Sequence, residues 1–259
     1  MLQLTEARAC AADELAETYR LLGGICSALD LDLVESVPAA GPSWVRSDQL
    51  ALHVEELIAG EAARILAEHG TRPRPHVIAS RVLHHYLWSA CLLVSGPWYL
   101  TGQVPDLRSA DLWTDPATGR TALRPGASRA GDERDVRDTV AAHVGPVLAA
   151  FQPYVKRGPR ALWGMAADDL VSGIWYLGRM LDQEDRAVAA AGAVLPGDTA
   201  PFPGAAAFRR LTAPDGRTHW TRTRLGCCLY YAVKPDADAC ITCPRTPDPT
   251  RLTRLEADR

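Results

Sequence analysis

Four of the seven cysteines of this 259-residue chain fall within seventeen consecutive positions: Cys227-Cys228, eleven residues from Leu229 to Ala239, then Cys240-Ile241-Thr242-Cys243. Whatever the chain folds into must serve that stretch. Four soft thiolates in so short a span suit zinc or an iron-sulfur cluster, and ligand count does not separate the two. A structural zinc site usually takes its ligands as two Cys-x2-4-Cys knuckles, whereas here one pair is adjacent in sequence. Neighbouring side chains on an extended strand point to opposite faces, so Cys227 and Cys228 can face one inorganic core only if the backbone bends. Gly226 can supply that bend.

A dinuclear ferric core with two bridging sulfides and four thiolates carries a formal charge of about -2, and about -3 after one-electron reduction. Nearby cations therefore favour the reduced form. Arg222, Arg224, Lys234 and Arg245 flank the cysteines, opposed in this neighbourhood by Asp236 and Asp238. The stretch reads as a one-electron 2Fe-2S site under positive bias.

The rest of the chain is that of an ordinary globular protein, 47% apolar and 23% charged, long enough for one large or two small domains. A net charge of -3 argues against a nucleic-acid partner. The N-terminus shows no basic start followed by an apolar run, and the most apolar neighbourhood, 82–105, is interrupted by His84, His85, Gly96 and Pro97. No secretory signal and no membrane span are expected. The expectation is a reducing cytoplasm, where clustered cysteines mean metal or redox chemistry.

Taken in order, residues 5–22 predict a helix ended by Gly23-Gly24, and 36–46 a turn-rich connector with Pro38, Gly41 and Pro42. Ser47 caps a second helix to about His69, closed by Gly70. A third, 76–95, is apolar on most sides and hence central, with Gly96-Pro97 stopping it. From Trp98 to Leu123 the signals change to strand, including a hairpin of 111–113 with 121–123. The polar run 124–131 is a candidate boundary, giving units 1–124 and 125–259 or one continuous domain. Helices follow at about 132–154, kinked at Pro146, at 159–182 and at 183–194. Pro214-Asp215-Gly216 turns a hairpin of 206–213 with 217–224 that leads straight into the cysteines. The fold class is α+β, mostly helical with two hairpin regions.

Several residues carry a bland and a functional reading side by side. Cys10, Cys26 and Cys91 read as small core residues rather than ligands. Of the adjacent His84 and His85, which diverge on a helix, one reads as core and one as surface. Asp168-Asp169 reads as solvated or salt-bridged rather than as an acid-base pair. Trp163, Trp175 and Tyr176 lie beside the apolar stripe of their helix, as core or as the wall of a ligand site. Strand alternation sets Trp220, Arg222 and Arg224 on one face. There is no glycine-rich dinucleotide, phosphate or flavin pattern, and no Cys-x-His pairing for a Rieske centre, so electrons must come from outside.

Phe208-Arg209-Arg210, Arg222-Thr223-Arg224, Cys-Cys-Leu-Tyr-Tyr and Cys-x2-Cys-Pro resemble the ferric siderophore reductase family of the FhuF type, as does the run 161–165 more weakly. That family is described by Cys-Cys-x10-Cys-x2-Cys binding one 2Fe-2S cluster. This chain has eleven residues in the gap, and one more residue in a loop costs little closure entropy. The resemblance implies that Cys227, Cys228, Cys240 and Cys243 hold a 2Fe-2S cluster and that the activity is one-electron reduction of siderophore-bound Fe(III). Arg222 and Arg224 would tune the potential and attract the ligand, with Trp220, Trp163 and Trp175 on the docking surface. The partners implied are a ferric siderophore, hydroxamate-type, and an electron donor such as a ferredoxin or an NAD(P)H-dependent reductase. The alternative is a siderophore-binding or assembly protein with a structural zinc or iron-sulfur site and no turnover.

Overall fold

The computed structural model describes residues 2–36, 44–234 and 238–257, with side chains from Ala12 onward. The connector residues Pro38, Gly41 and Pro42, the side chain of Cys10, and Asp236 therefore lie outside the described residues.

The first helix, α1 (Leu2–Ile25), runs on through Gly23-Gly24. A short strand β1 (Leu31–Leu33) follows, then β2 (Val45–Arg46), a 3-10 turn Ser47–Leu52 and α2 (Val54–His69). The single helix expected from Ser47 is thus divided at His53. Gly70 closes α2 in the left-handed conformation, φ 65°, where a side chain would be strained.

The central helix α3 (Pro75–Thr101) does not stop at Gly96-Pro97, and Trp98-Tyr99-Leu100 form its last turn rather than a strand. The reason lies outside the helix. Pro97 has no N–H for the carbonyl of Leu93, and that carbonyl accepts the buried Tyr19 hydroxyl from α1 at 2.9 Å instead. Gly96 is needed for the same approach, since a Cβ there would meet Leu22 Cδ2 at 2.7 Å. The helix ends at Gly102, φ 75°. By length and composition α3 could cross a membrane, and 72% of its most apolar window is buried inside the fold.

Four short strands follow: β3 (Gln103–Pro105), β4 (Leu112–Thr114), β5 (Thr121–Leu123) and β6 (Ser128–Ala130). The expected β4–β5 hairpin is present, at the centre of a four-stranded sheet ordered β1-β5-β4-β2 in which β1 runs parallel to β5. β6 lies in the polar run 124–131 and pairs antiparallel with β3.

Asp132 caps α4 (Glu133–Phe151) with a reciprocal capping box to Asp135. Then come α5 (Pro159–Met180), α6 (Glu184–Val194) and the hairpin β7 (Phe208–Thr212) with β8 (Thr218–Arg222). A last helix, α7 (Asp248–Ala257), packs behind the cysteines. The architecture is α+β, mostly helical, with small sheets. The main apolar core runs from Leu15 to Ala206 through all six of the helices α1 to α6, and a smaller cluster joins Ile65, Val77, Ile78 and Val233. Cys26 and Cys91 are fully buried in the main one, as core residues should be.

Candidate metal centre

The buried face of helix α5 is apolar except for two adjacent acids, Asp168 and Asp169, both fully buried. Such burial is tolerable only if each carboxylate is paired and hydrogen-bonded. Asp168 takes the Arg222 guanidinium at 2.6 Å and the backbone N–H groups of Leu225 and Gly226 at 2.9 and 2.8 Å. Asp169 takes Arg224 at 2.7 Å and His84 Nδ1, from α3, at 2.9 Å. The two acids are therefore anchors for the turn that precedes Cys227.

Arg222 is 1% exposed and also donates to the carbonyls of Ala206 and Asp168 and to Ser172 Oγ. It presents nothing to an incoming ligand. Burial works against the Arg224 cation, and the Asp169 and Asp168 carboxylates overcome it, holding the guanidinium charged well above its ordinary range. The positive bias expected from these two arginines is thus largely cancelled at its source by two carboxylates.

The bend falls at Leu229, φ 60°, and not at Gly226, which is outside the left-handed region. A leucine there costs about 1 kcal/mol. Its N–H donates to Cys227 Sγ at 3.4 Å. The second pair of cysteines is fastened from α7. Arg251, 1% exposed, donates to the carbonyls of Ile241 and Cys243 at 2.6 and 3.0 Å, and Arg254 to that of Ala239 at 2.5 Å. The Arg245 N–H donates to Cys243 Sγ at 3.4 Å, and Arg224 N donates to the Thr242 carbonyl at 2.9 Å, which ties the two halves together.

All four thiols are free, Cys228 and Cys243 buried, Cys227 and Cys240 half-buried. They come in twos, with Cys227 in hydrogen-bonding reach of Cys243 and Cys228 of Cys240. The hydrogen bond from Cys240 drives the Cys228 thiol down to about 4, burial opposes this, and the N–H of Tyr230 and the charges of His84 and Arg224 add to it. The same contact pushes Cys240 up. Among the described residues no three of His, Cys, Asp and Glu are placed to hold a single ion. Two sulfurs per iron is what a dinuclear cluster takes from its protein, so the donor set and its N–H···S bonds fit that group.

Another cation escaped the sequence reading. Arg157 precedes α5, is half-buried, and donates to the Cys227 carbonyl at 2.5 Å with no carboxylate partner among the described residues. Nothing in its neighbourhood of the sequence marks it. Arg251 was equally silent, whereas Asp168-Asp169 reads from the sequence as solvated or salt-bridged and is salt-bridged in full burial.

Beside the cysteines opens a cleft of about 390 Å³. Cys228, Cys240 and Thr242 line it together with His84, Trp88, Trp175, Tyr176 and Tyr230. Of the three tryptophans singled out in the sequence, Trp175 alone lies here. Trp163 packs edge-on to Phe202 at 5.4 Å in the core, and Trp220 is held by Asp185 and Arg210 on a separate surface groove. Trp88, one helical turn beyond His84, is the lining residue that periodicity gave no reason to choose.

Residues 224–245 match the family model described as the FhuF 2Fe-2S C-terminal domain. No curated protein matches the chain. The matched span holds all four cysteines together with Arg224, and it supports an iron-sulfur function connected with siderophore iron and a redox role. The segment is thus similar to the FhuF-type 2Fe-2S domain, the family that its sequence motifs resemble, and its cofactor is a 2Fe-2S cluster.

Proposed function

We propose that Cys227, Cys228, Cys240 and Cys243 ligate the cluster and that the protein is a ferric siderophore reductase. The observation that carries this reading is the cleft: two of the four cysteines, Cys228 and Cys240, line an aromatic cavity open to solvent. A purely structural site is better served by full enclosure. When bound, the cluster supplies one electron at a time.

The chain's own residues do the rest. Asp168 holds the Cys227-Cys228 turn through two N–H bonds, and Arg251 holds the Cys240–Cys243 knuckle through two carbonyls. Fixed ligands reorganise little when charge arrives. Backbone N–H groups aimed at Cys227 and Cys243 stabilise thiolate charge. The aromatic side chains exclude water and seat the chelate's organic body beside these cysteines. Hard hydroxamate, carboxylate or catecholate oxygens hold Fe(III) far more tightly than Fe(II), so one added electron loosens the metal. The electron is replaced by an external one-electron donor, a ferredoxin or an NAD(P)H-dependent reductase.

The test is single-turnover mixing of the reduced protein with ferric siderophores, with a ferrous-specific chelator present. Reoxidation of the visible chromophore in step with ferrous release, one iron per protein, is expected. A chromophore that stays reduced in the presence of every chelate would leave a cluster of structural use only.

A further inference from the structure

The rim of the cleft carries charge that the fold does not use. Arg81 on α3 stacks over the Tyr230 ring with its guanidinium carbon 5.2 Å from the centroid, and Arg179 on α5 stacks over Trp175 at 5.7 Å. Among the described residues neither has a carboxylate partner, and no Asp or Glu lines the cleft. Arg81 meets only the His85 ring nitrogen, at 2.6 Å. The acids closest in sequence to Arg179 are engaged elsewhere: Glu184 accepts the Trp175 indole N–H at 2.8 Å, and Asp185 pairs with Arg210 at 2.8 Å. Both guanidiniums are half-buried and lie over aromatic rings, so they are held in place at little further entropy cost.

Two cations without a carboxylate partner, beside cysteines that become anionic when the cluster is loaded, form an anion seat. A neutral tris-hydroxamate chelate offers these arginines no charge to pair with. A cationic one is repelled. An anionic chelate would be repelled by the cluster itself unless its charge were met at the rim, and Arg81 and Arg179 stand where that charge would sit.

Building on the reductase reading, we propose that this cleft selects a net-anionic ferric chelate, its carboxylate or catecholate oxygens paired with Arg81 and Arg179 and its body between Trp88, Trp175 and Tyr230. This departs from the hydroxamate class that the resemblance implied. The available volume, about 390 Å³, takes the metal-bearing part of such a chelate and leaves any long arms in solvent.

The experiment uses the cluster-loaded protein and redox-inert gallium(III) chelates, so that binding is read without electron transfer. Titrations followed by tryptophan fluorescence compare gallium citrate, a gallium tris-catecholate and the gallium complex of a cyclic tris-hydroxamate with no pendant amine, which is neutral, with metal-free ligands as blanks. The anionic chelates are expected to bind at least about tenfold tighter than the hydroxamate and to weaken as salt rises. Arg81→Gln and Arg179→Gln should each weaken them about three- to tenfold while leaving the hydroxamate's affinity and the visible spectrum of the cluster unchanged. The preferred anion tells carboxylate from catecholate recognition. Equal affinity for all three chelates, or anion binding indifferent to both substitutions, overturns the proposal. If the anionic gallium chelate binds as expected but its ferric counterpart fails to reoxidise the reduced protein, the reductase reading falls and the anion seat stands.

Discussion

The carboxylate of Asp168 and the guanidinium of Arg222 meet at 2.6 Å in the dry interior, one from α5 and the other from the last residue of β8. The same carboxylate receives the N–H groups of Leu225 and Gly226, so this pair fixes where the cysteine segment begins. Removing one partner of such a pair leaves a bare buried charge.

Arg222→Ala should therefore destabilise the fold by about 3–5 kcal/mol, and Arg222→Lys, which keeps the charge but loses the fork, by less. Denaturant unfolding of the two variants checks this. A loss under about 1 kcal/mol for the alanine variant would mean that water reaches Asp168.

Cys228→Ser and Cys240→Ser should each abolish or severely weaken the visible chromophore, since serine offers a harder and more basic donor than a thiolate. Cys91→Ser should leave the spectrum intact, because Cys91 lies in the core with its sulfur 3.8 Å from the Ala166 carbonyl. A full cluster spectrum from either of the first two would strike that cysteine from the ligand set.

The uncompensated Arg157 should matter more to the reduction potential than the compensated Arg224. Arg157→Ala should lower the potential on the order of 50 mV, from about 1 kcal/mol of lost attraction at roughly 59 mV per tenfold change. Arg224→Ala removes a cation but exposes the charge of Asp169, so its main effect should be lost stability. Potentiometric titration with electron paramagnetic resonance detection distinguishes the two, and a potential unmoved in Arg157→Ala would place that guanidinium's field in solvent.

His143 on α4 is buried and stacks on Tyr86, whose hydroxyl lies 2.8 Å from Nε2. Burial depresses it to about 4, with the Leu107 carbonyl partly opposing. The unfolded chain takes up that proton near pH 6.5 and the folded one only near 4, so the contribution is fully present above about 6.5 and lost as pH falls through that window. The total at stake is roughly 3 kcal/mol, and His143→Gln should flatten the stability profile between pH 6.5 and 4. An unchanged slope would assign acid sensitivity to other groups.

The legible parts of this protein were those whose cause is local. Pro214-Asp215-Gly216 turns the β7–β8 hairpin where it was expected, and the apolar stripe around Leu162, Leu170 and Ile174 gives α5 within two residues. The errors came from distant partners. Gly96-Pro97 reads as a stop because the hydroxyl that replaces the missing N–H belongs to Tyr19, 74 positions away. Strands of two or three residues, such as β1 and β2, are too short for alternation to register, so the four-stranded sheet was invisible. At the metal centre the sulfurs were plain in the sequence. Their setting was not, because Asp168, Asp169, Arg157 and Arg251 acquire meaning only when four separate segments are brought together.

The left-handed Leu229 separates two holdings of different kinds. Upstream, the turn before Cys227 and Cys228 is anchored on the buried Asp168 of α5; downstream, Cys240 and Cys243 are held to α7 by two arginines. The metal pocket is thus held from two sides, one half through Asp168 and the other through α7. Trimming α7 should therefore cost the protein its iron while sparing the rest of its fold.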